Sequence, residues 1–360
     1  YDQDEGAFSE ATREMLQSGN YLTTTLNGEP RYDKPILSYW LQAITVTVFG
    51  LNEIALRLPS VIASLLWCWA LFVFARQITE RNTALVAALI FSQTLLVGMV
   101  ARSATADALL NLFIALTFFD IYRYFLKLKS DNPNSYPWLL PRIYLWMALG
   151  LLTKGPVAIV LPLLTSGLFF IWQGYIRSWL AALFSPRGWV IMAVVAGPWY
   201  LAVLFDPTSG FIENFIYHHN FERFLHTMEG HGGHWWYYLA LLPLLLTPYS
   251  GLFVTLFSNK TWLSLSRNTN PLETFLWIWF SVVLLIFSLS NTQLPHYILY
   301  GGVPLFLLMA IHATNYALNY YRLFCTVMSA SGSTIFTRTC TIYDRFHNQY
   351  LSTGDAGRNR

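Results

Sequence analysis

Long stretches of this chain carry no Asp, Glu, Lys or Arg, and their length is what most limits the folds open to it. A bilayer core about 30 Å thick takes about 20 apolar residues of helix to cross. Uncharged runs close to that length recur at 58–75, 82–101, 157–176, 188–205 and 235–259. The stretch 274–321 is also free of charge and long enough for two spans. A further run, 105–125, has Asp107 near one end, and the short run 139–152 stops at Thr153-Lys154-Gly155-Pro156. That interruption reads as the turn of a helical hairpin. The pattern predicts an all-α polytopic membrane protein, a bundle of about nine spans.

The rest of the composition closes off the alternatives. The chain is 55% hydrophobic and 11% charged, against roughly 25% charged for an average globular protein, so too few charges remain for a water-facing surface. Three cysteines (Cys68, Cys325, Cys340) make no disulfide framework. With a net charge of +3 and scattered basic residues, nucleic acid is not an expected partner.

Lys and Arg in the short loops set the orientation. Arg76, Arg81, Arg123, Lys127, Lys129, Arg142, Arg177, Arg187, Lys260, Arg267 and Arg322 fall on one side, and Arg102, Lys154 and Arg223 on the other. The richer side is expected in the cytoplasm. Segments 1–54, 206–234 and 290–296 then lie outside, with most of the carboxylates and the histidines of 218–234. Three regions follow: an outer loop at 1–54, a membrane bundle at 55–328 with its outer loop 206–234, and a polar Ser/Thr-rich tail at 329–360 to which no function is assigned. Because Tyr1 opens directly in an acidic outer segment, a further span upstream is expected.

The first outer segment reads as two short helices. Asp2-Gln3-Asp4-Glu5 precedes a pattern with Phe8, Ala11, Met15 and Leu16 on one face, stopped at Gly19. Asp2 and Asp4 there are either caps, worth about 1 kcal/mol, or chemical groups. A second helix starts at Lys34-Pro35 and runs to about Phe49 before Gly50. It is too short to span, and with Tyr39 and Trp40 it should lie in the membrane interface. Its amino end, with Lys34 and Arg31 beside it, is suited to an anion at headgroup depth. The competing reading has Lys34 merely snorkelling to the headgroups.

Asp107 marks the edge of a span, where an ionisable residue is a functional candidate by default; a dipole-favoured helix start is the plainer role. Lys154 is a less specific signal. Segment 215–234, FIYHHNFERFLHTMEGHGGH, holds five histidines with Glu222 and Glu229, but no spacing fits a closed zinc motif. It reads as an interfacial surface loop or a loose metal site. Arg223 could pair with phosphate oxygens, and Tyr297, in Pro295-His296-Tyr297, could donate a hydrogen bond or belong to an aromatic belt.

Taken together these residues resemble a known family. YDQDEGAFSEATREML, LNGEPRYDKPILSYW and IALRLPS, followed by ARSATADALL, LLTKGPVA, GPWY, HHNFERF with GHGGHWWYYL, and LPHYILY, look like the polyprenyl-phosphate-dependent glycosyltransferases. That superfamily includes protein O-mannosyltransferases and the bacterial 4-amino-4-deoxy-L-arabinose transferases that modify lipid A, and the bacterial branch fits better. The resemblance covers roughly 1–310. It implies the C-type glycosyltransferase fold, with two interfacial helices in the first outer loop.

The activity it implies is transfer of a sugar from a polyprenyl-phosphate donor to a lipid A, protein or other cell-envelope acceptor. The setting would be a multi-pass protein of the bacterial inner membrane, its site facing the periplasm. By the same resemblance Asp4 and Asp107 are the catalytic carboxylates. Lys34, Arg223 and Tyr297 would bind the donor phosphate, Glu5, Asp33 and Lys154 would support them, and Asp33 with His219 could meet a metal. No cofactor is required, although a divalent ion could assist. Two departures stand out. Ala7 occupies a position where the lipid A branch usually carries Arg, and that branch's further spans and soluble carboxyl-terminal domain are not seen. A lipid or sugar transporter would also place charges among spans, but it should show internal repeats, and none is evident.

Overall fold

The computed structural model of the chain describes residues 3–130, 138–206, 234–258 and 270–330. Positions 207–233 of the expected outer loop, with Arg223, His219 and most of the histidine cluster, lie outside the described residues, as do 331–360 of the polar tail. Tyr1–Ala310 form one compact unit and Ile311–Arg360 a second. The described residues are mostly helical, as the apolar runs predict.

Helix α1 (Gln3–Ser18) buries Phe8, Ala11 and Met15 along one face and closes at Gly19, whose φ of 69° takes the left-handed turn. A short hairpin follows, between the two expected helices. Strands β1 (Thr24–Leu26) and β2 (Glu29–Arg31) pair antiparallel, with Thr24 opposite Arg31. Asn27 and Gly28 make the two-residue turn at φ 55° and 80°, the positive-φ pair such hairpins favour. Glu14 of α1 accepts from the Gly28 amide at 3.2 Å and from the Thr25 hydroxyl, fixing the turn to the helix. The hairpin thereby delivers Arg31 to the start of α2 (Leu37–Phe49).

Helix α2 is two-faced. It buries Tyr39, Gln42, Ala43 and Val46 while Ile44, Val48 and Phe49 stay exposed, as an interfacial helix should. Gln42 knits the inner face together: it accepts from Thr12 at 2.7 Å and donates to the carbonyls of Ala104 at 3.1 Å and Leu56 at 3.3 Å.

The bundle comprises α3 (Glu53–Ile78), α4 (Arg81–Gln93), α5 (Leu95–Ala101), α6 (Asp107–Leu128), α7 (Leu139–Lys154), α8 (Val157–Gln173), α9 (Ile176–Leu183), α10 (Pro186–Val195) and α11 (Gly197–Leu204). Beyond 233 come α12 (Tyr237–Leu245), α13 (Ser250–Ser258), α14 (Pro271–Leu289), a 3-10 helix (Pro295–Gly301) and α15 (Gly302–Ala330). Leu65, Trp69, Val194 and Leu244 are exposed and apolar, the surface expected of a lipid-facing side. Helix α6 is the buried centre. Its Phe118 stacks on Trp279 at 4.0 Å and its Phe119 on Phe74 at 4.2 Å. Lipid gives no water-exclusion reward for such contacts, so close packing and internal polar bonds hold the helices together.

One such bond set was not anticipated. Asp120, fully buried on α6, accepts from Arg123 at 2.8 Å, from Arg142 Nε of α7 at 2.9 Å and from Trp146 Nε1 at 3.0 Å. From the sequence both arginines are expected among loop and span-end charges.

The count of spans also changes. Four segments are unbroken, long and apolar enough to cross a membrane: α3, α6, α14 and Pro295–Tyr316. The pairs α4 with α5 and α9 with α10 qualify only jointly, bent by 64° and 42°. By length and composition the described residues hold four to six candidate spans, against about nine expected over the whole chain. Composition registers the apolar runs but not their breaks. The run at 188–205 is split between α10 and α11, where Gly197-Pro198 opens a new helix, and that at 235–259 is split between α12 and α13. Helices α7 and α8, with 16 and 17 residues, lie at the short edge of the length a crossing takes.

Candidate active site

Three helix ends meet around one carboxylate. Asp107 is the first residue of α6, Lys154 the last of α7, and the 3-10 helix Pro295–Gly301 lies against both. Helix α6 offers its positive end to the carboxylate and α7 its negative end to the ammonium. Lys154 Nζ donates to Asp107 Oδ1 and also to the Tyr300 hydroxyl at 3.1 Å. Tyr300 OH in turn lies 3.4 Å from Asp107 Oδ1, donating to it, and His296 Nε2 is 3.6 Å from the same oxygen. The ammonium also sits 5.2 Å from the centre of the Tyr297 ring, within cation–π range. In the tight 3-10 turn, side chains three apart eclipse, which is why the Tyr297 and Tyr300 rings stack and present two hydroxyls from one short segment.

The facing wall comes from α1 and the start of α2. Asp33 accepts from Arg31 Nη2 at 3.0 Å with one oxygen and from Lys34 Nζ at 2.6 Å with the other. Arg31 is held from behind by the Phe8 ring, 5.5 Å from its guanidinium carbon, and Phe8 stacks on the buried Tyr39. Glu5 pins α1 to the bundle, accepting from Arg57 Nε at 2.7 Å and from the Ala104 amide at 2.9 Å. Burial works against its charged form, but the Arg57 hydrogen bond, the Ala104 amide and the Arg57 charge outweigh it and hold the carboxyl below the usual range. Asp4, the residue before it on α1, is exposed.

Between the walls lies a narrow cleft lined by Asp4, Phe8, Lys34, Asp107, Lys154, His296 and Tyr297, among others. Five residues singled out in the sequence (Asp4, Lys34, Asp107, Lys154 and Tyr297) thus share one cavity. Glu5 and Asp33 are bonded into the walls, while Arg223 and His219 lie outside the described residues. Asp33 shares its two oxygens between Arg31 and Lys34, and His219, its expected partner at a metal, lies outside the described residues. Among the described residues no three metal-ligating side chains gather. Lys154 holds a more central place than its sequence signal implies, and His296 and Tyr300 join the site without having been expected there. Their signal was weak but present, since a polar trio at positions 296, 297 and 300 opens an apolar run.

The arrangement can hold a phosphate between cations while carboxylate and imidazole groups face the same space. Residues 33–201 match the family described as dolichyl-phosphate-mannose-protein mannosyltransferase. The undecaprenyl phosphate-alpha-4-amino-4-deoxy-L-arabinose arabinosyl transferase of Erwinia tasmaniensis is 30% identical over 317 residues, covering 87% of this chain and 55% of the relative. The protein of the same name from Yersinia pestis is also 30% identical, covering 88% and 56%. The chain therefore spans about half the length of the curated relatives it matches. In fold it is similar to ArnT from Cupriavidus metallidurans bound to undecaprenyl phosphate, with a TM-score of 0.76, 24% identity and coverage of 91% and 59%. The oligosaccharyltransferase of Archaeoglobus fulgidus matches more distantly, at TM-score 0.57, 12% identity and coverage of 94% and 49%.

Proposed function

From a chain related in sequence and fold to the polyprenyl-phosphate-dependent membrane glycosyltransferases, we propose an integral-membrane glycosyltransferase. It would take a sugar from a polyprenyl-phosphate donor and pass it to a lipid A, protein or other cell-envelope acceptor. The observation that carries this reading is the convergence of Asp4, Lys34, Asp107, Lys154 and Tyr297 on one cleft. The uneven distribution of Lys and Arg supports a bacterial inner membrane setting with the cleft on the periplasmic side.

In the reaction the anomeric carbon exchanges its bond to the donor phosphate for a bond to the acceptor. The departing phosphate gains a negative charge as that bond breaks. Lys34 and Lys154 stand where they can stabilise that charge, in a site pre-arranged by Asp33 and Asp107 so that neither cation must reorganise during the step. Asp107 accepts from Lys154 and Tyr300, so it positions Lys154 instead of meeting the sugar itself. Asp4 is exposed on the opposite wall and orients the acceptor for in-line attack.

The test is transfer from a radiolabelled polyprenyl-phosphate sugar in membranes holding the full-length protein. Asp4→Asn should abolish turnover and leave donor binding largely intact. Wild-type turnover in that variant would remove Asp4 from the mechanism. Radiolabelled lipid crossing the bilayer without any transfer would overturn the enzyme reading in favour of a transporter.

A further inference from the structure

We propose that Arg123 and Arg142 form a binding site for the phosphate of an anionic bilayer lipid, at the end of the bundle opposite the cleft. The site is independent of the glycosyltransferase reading. Asp120, which joins the two arginines, lies about 20 Å along α6 from Asp107 at a rise of about 1.5 Å per residue. It therefore approaches the far side of a bilayer core about 30 Å thick. Trp138, 73% exposed, caps the start of α7 at the same end, a residue type enriched at headgroup depth.

Asp120 is saturated, and its two partners are not. One oxygen accepts from Arg123 Nη1 at 2.8 Å and from Arg142 Nη2, the other from Arg142 Nε at 2.9 Å and Trp146 Nε1 at 3.0 Å. A carboxylate offers about four lone-pair sites, and all are used. Arg142 meets it along the Nε–Nη2 edge, which leaves the Nη1–Nη2 edge turned away, with 45% of the side chain exposed. Arg123 is held by Gln77, whose Oε1 accepts from its Nε at 2.8 Å, and by the Phe74 ring, 5.4 Å from its guanidinium carbon. It keeps 20% of its side chain exposed. Because both arginines bond the same Asp120 oxygen, their remaining donors lie close enough for one phosphate group to bridge. Lys127, one turn further along the same face of α6, adds a third cation.

Charge names the ligand. Neutralising Asp120 takes only one arginine, so the cluster carries a positive charge in excess. The chain does not supply the missing anion. Over 76–81, 120–142, 177–187 and 259–273, the stretches at this end of the helices, the sequence sets ten Lys or Arg against four Asp or Glu. That balance includes the undescribed 131–137 and 259–269. An unmatched charge at a span's end is costly unless an anion meets it, and at that depth the anion is a lipid phosphate. Basic pockets between helices suit anionic headgroups, and a guanidinium takes phosphate oxygens two at a time. Simple snorkelling leaves a side chain free to follow the headgroups, whereas Asp120, Gln77 and Phe74 fix both of these before any lipid arrives.

The experiment strips the full-length protein of lipid in detergent, offers it phosphatidylglycerol or phosphatidylcholine in equal amounts, and counts the lipids retained by native mass spectrometry. Wild type should retain phosphatidylglycerol over phosphatidylcholine, and Arg142→Gln should weaken that retention about 10-fold or more. Arg142→Lys keeps the charge without the planar fork and should fall between them. Lys34→Ala, in the cleft, should retain phosphatidylglycerol as wild type does. Circular dichroism reports whether the variants fold, and the wild-type preference between the two lipids decides the matter where they do not. Equal retention of both lipids by wild type, wild-type retention by folded Arg142→Gln, or loss in Lys34→Ala alone would overturn the proposal. Inorganic phosphate that protects against thermal unfolding as well as phosphatidylglycerol does would also overturn it, by making the ligand a free anion.

Discussion

Replacing Asp107 with Asn should damage the fold before it damages chemistry. The carboxylate and Lys154 are each only about a tenth exposed, 11% and 10% of their side chains. Asn keeps the shape and an oxygen for Tyr300 but leaves a buried ammonium without its counter-charge. Removing one partner of a buried pair typically costs about 3–5 kcal/mol, equivalent to roughly two to four orders of magnitude in the folding equilibrium. Removing both charges together, as in Asp107→Leu with Lys154→Met, avoids the orphaned ion and should cost less than either single change. Reversible unfolding in mixed micelles, followed by tryptophan fluorescence, would measure all three variants against wild type. Sugar transfer should be absent from the double variant even where its stability recovers, which separates holding the site together from running the reaction. An Asp107→Asn protein within about 0.5 kcal/mol of wild type, or a double variant less stable than both singles, would refute the pairing as the organising contact.

Two further outcomes follow from the facing wall. Glu5 is held below the usual carboxylate range, so its contribution to stability is complete above the ordinary value of 4.5 and disappears as pH falls through its lower native value. Thermal unfolding between pH 3 and 6, an interval of about one and a half units either side of that value, should show wild type losing more stability on acidification than Glu5→Gln. Parallel curves would remove the Arg57 and Ala104 contacts from the account. Lys34→Ala leaves Asp33 paired with Arg31, so the wall should stand while a charge-assisted bond to phosphate is lost. That bond is worth about 1.5–3 kcal/mol, and retention of radiolabelled polyprenyl phosphate should weaken about 10- to 100-fold, whereas unchanged retention would exclude Lys34 from the phosphate site.

What could be read from the sequence follows from which physical signals are local. The stop residues Gly19 and Gly50 act within one turn of their own helix, and both helices end where those residues predict, whereas α2 begins at Leu37, two residues beyond the expected start at Pro35. The apolar runs likewise mark helices, but a run carries no record of where Gly197-Pro198 splits it. The hairpin is legible only in Asn27-Gly28, because strands of three residues carry too little alternation to mark themselves. Asp107 and Lys154 were each visible as ionisable residues at span edges, yet their pairing depends on how α6 folds back along α7, a contact 47 positions apart in sequence. Tyr300 and His296 gain meaning only from that pairing, because each is defined by its distance to an oxygen the sequence does not locate.

The same hairpin of helices carries a second carboxylate, and the contrast between the two explains which one can serve a reaction. Asp107 sits at the first residue of α6, where the dipole favours it and a cleft opens beside it. Asp120 sits further along the same helix, only 1% exposed, and accepts from two arginines and a tryptophan that leave no room for a substrate. A charge placed in the body of a span must be neutralised by its own protein, and that requirement spends all its bonding capacity. A charge at a span's end can share the task with backbone dipoles and keep a face open. Asp120→Asn should therefore cost stability, near the lower end of about 3–5 kcal/mol because Arg142 is 45% exposed and can turn to solvent. Retention of polyprenyl phosphate by the folded fraction should not change. Lost retention in protein shown to be folded would mean that Asp120 reaches the site, and the division between a structural and a working carboxylate would fail.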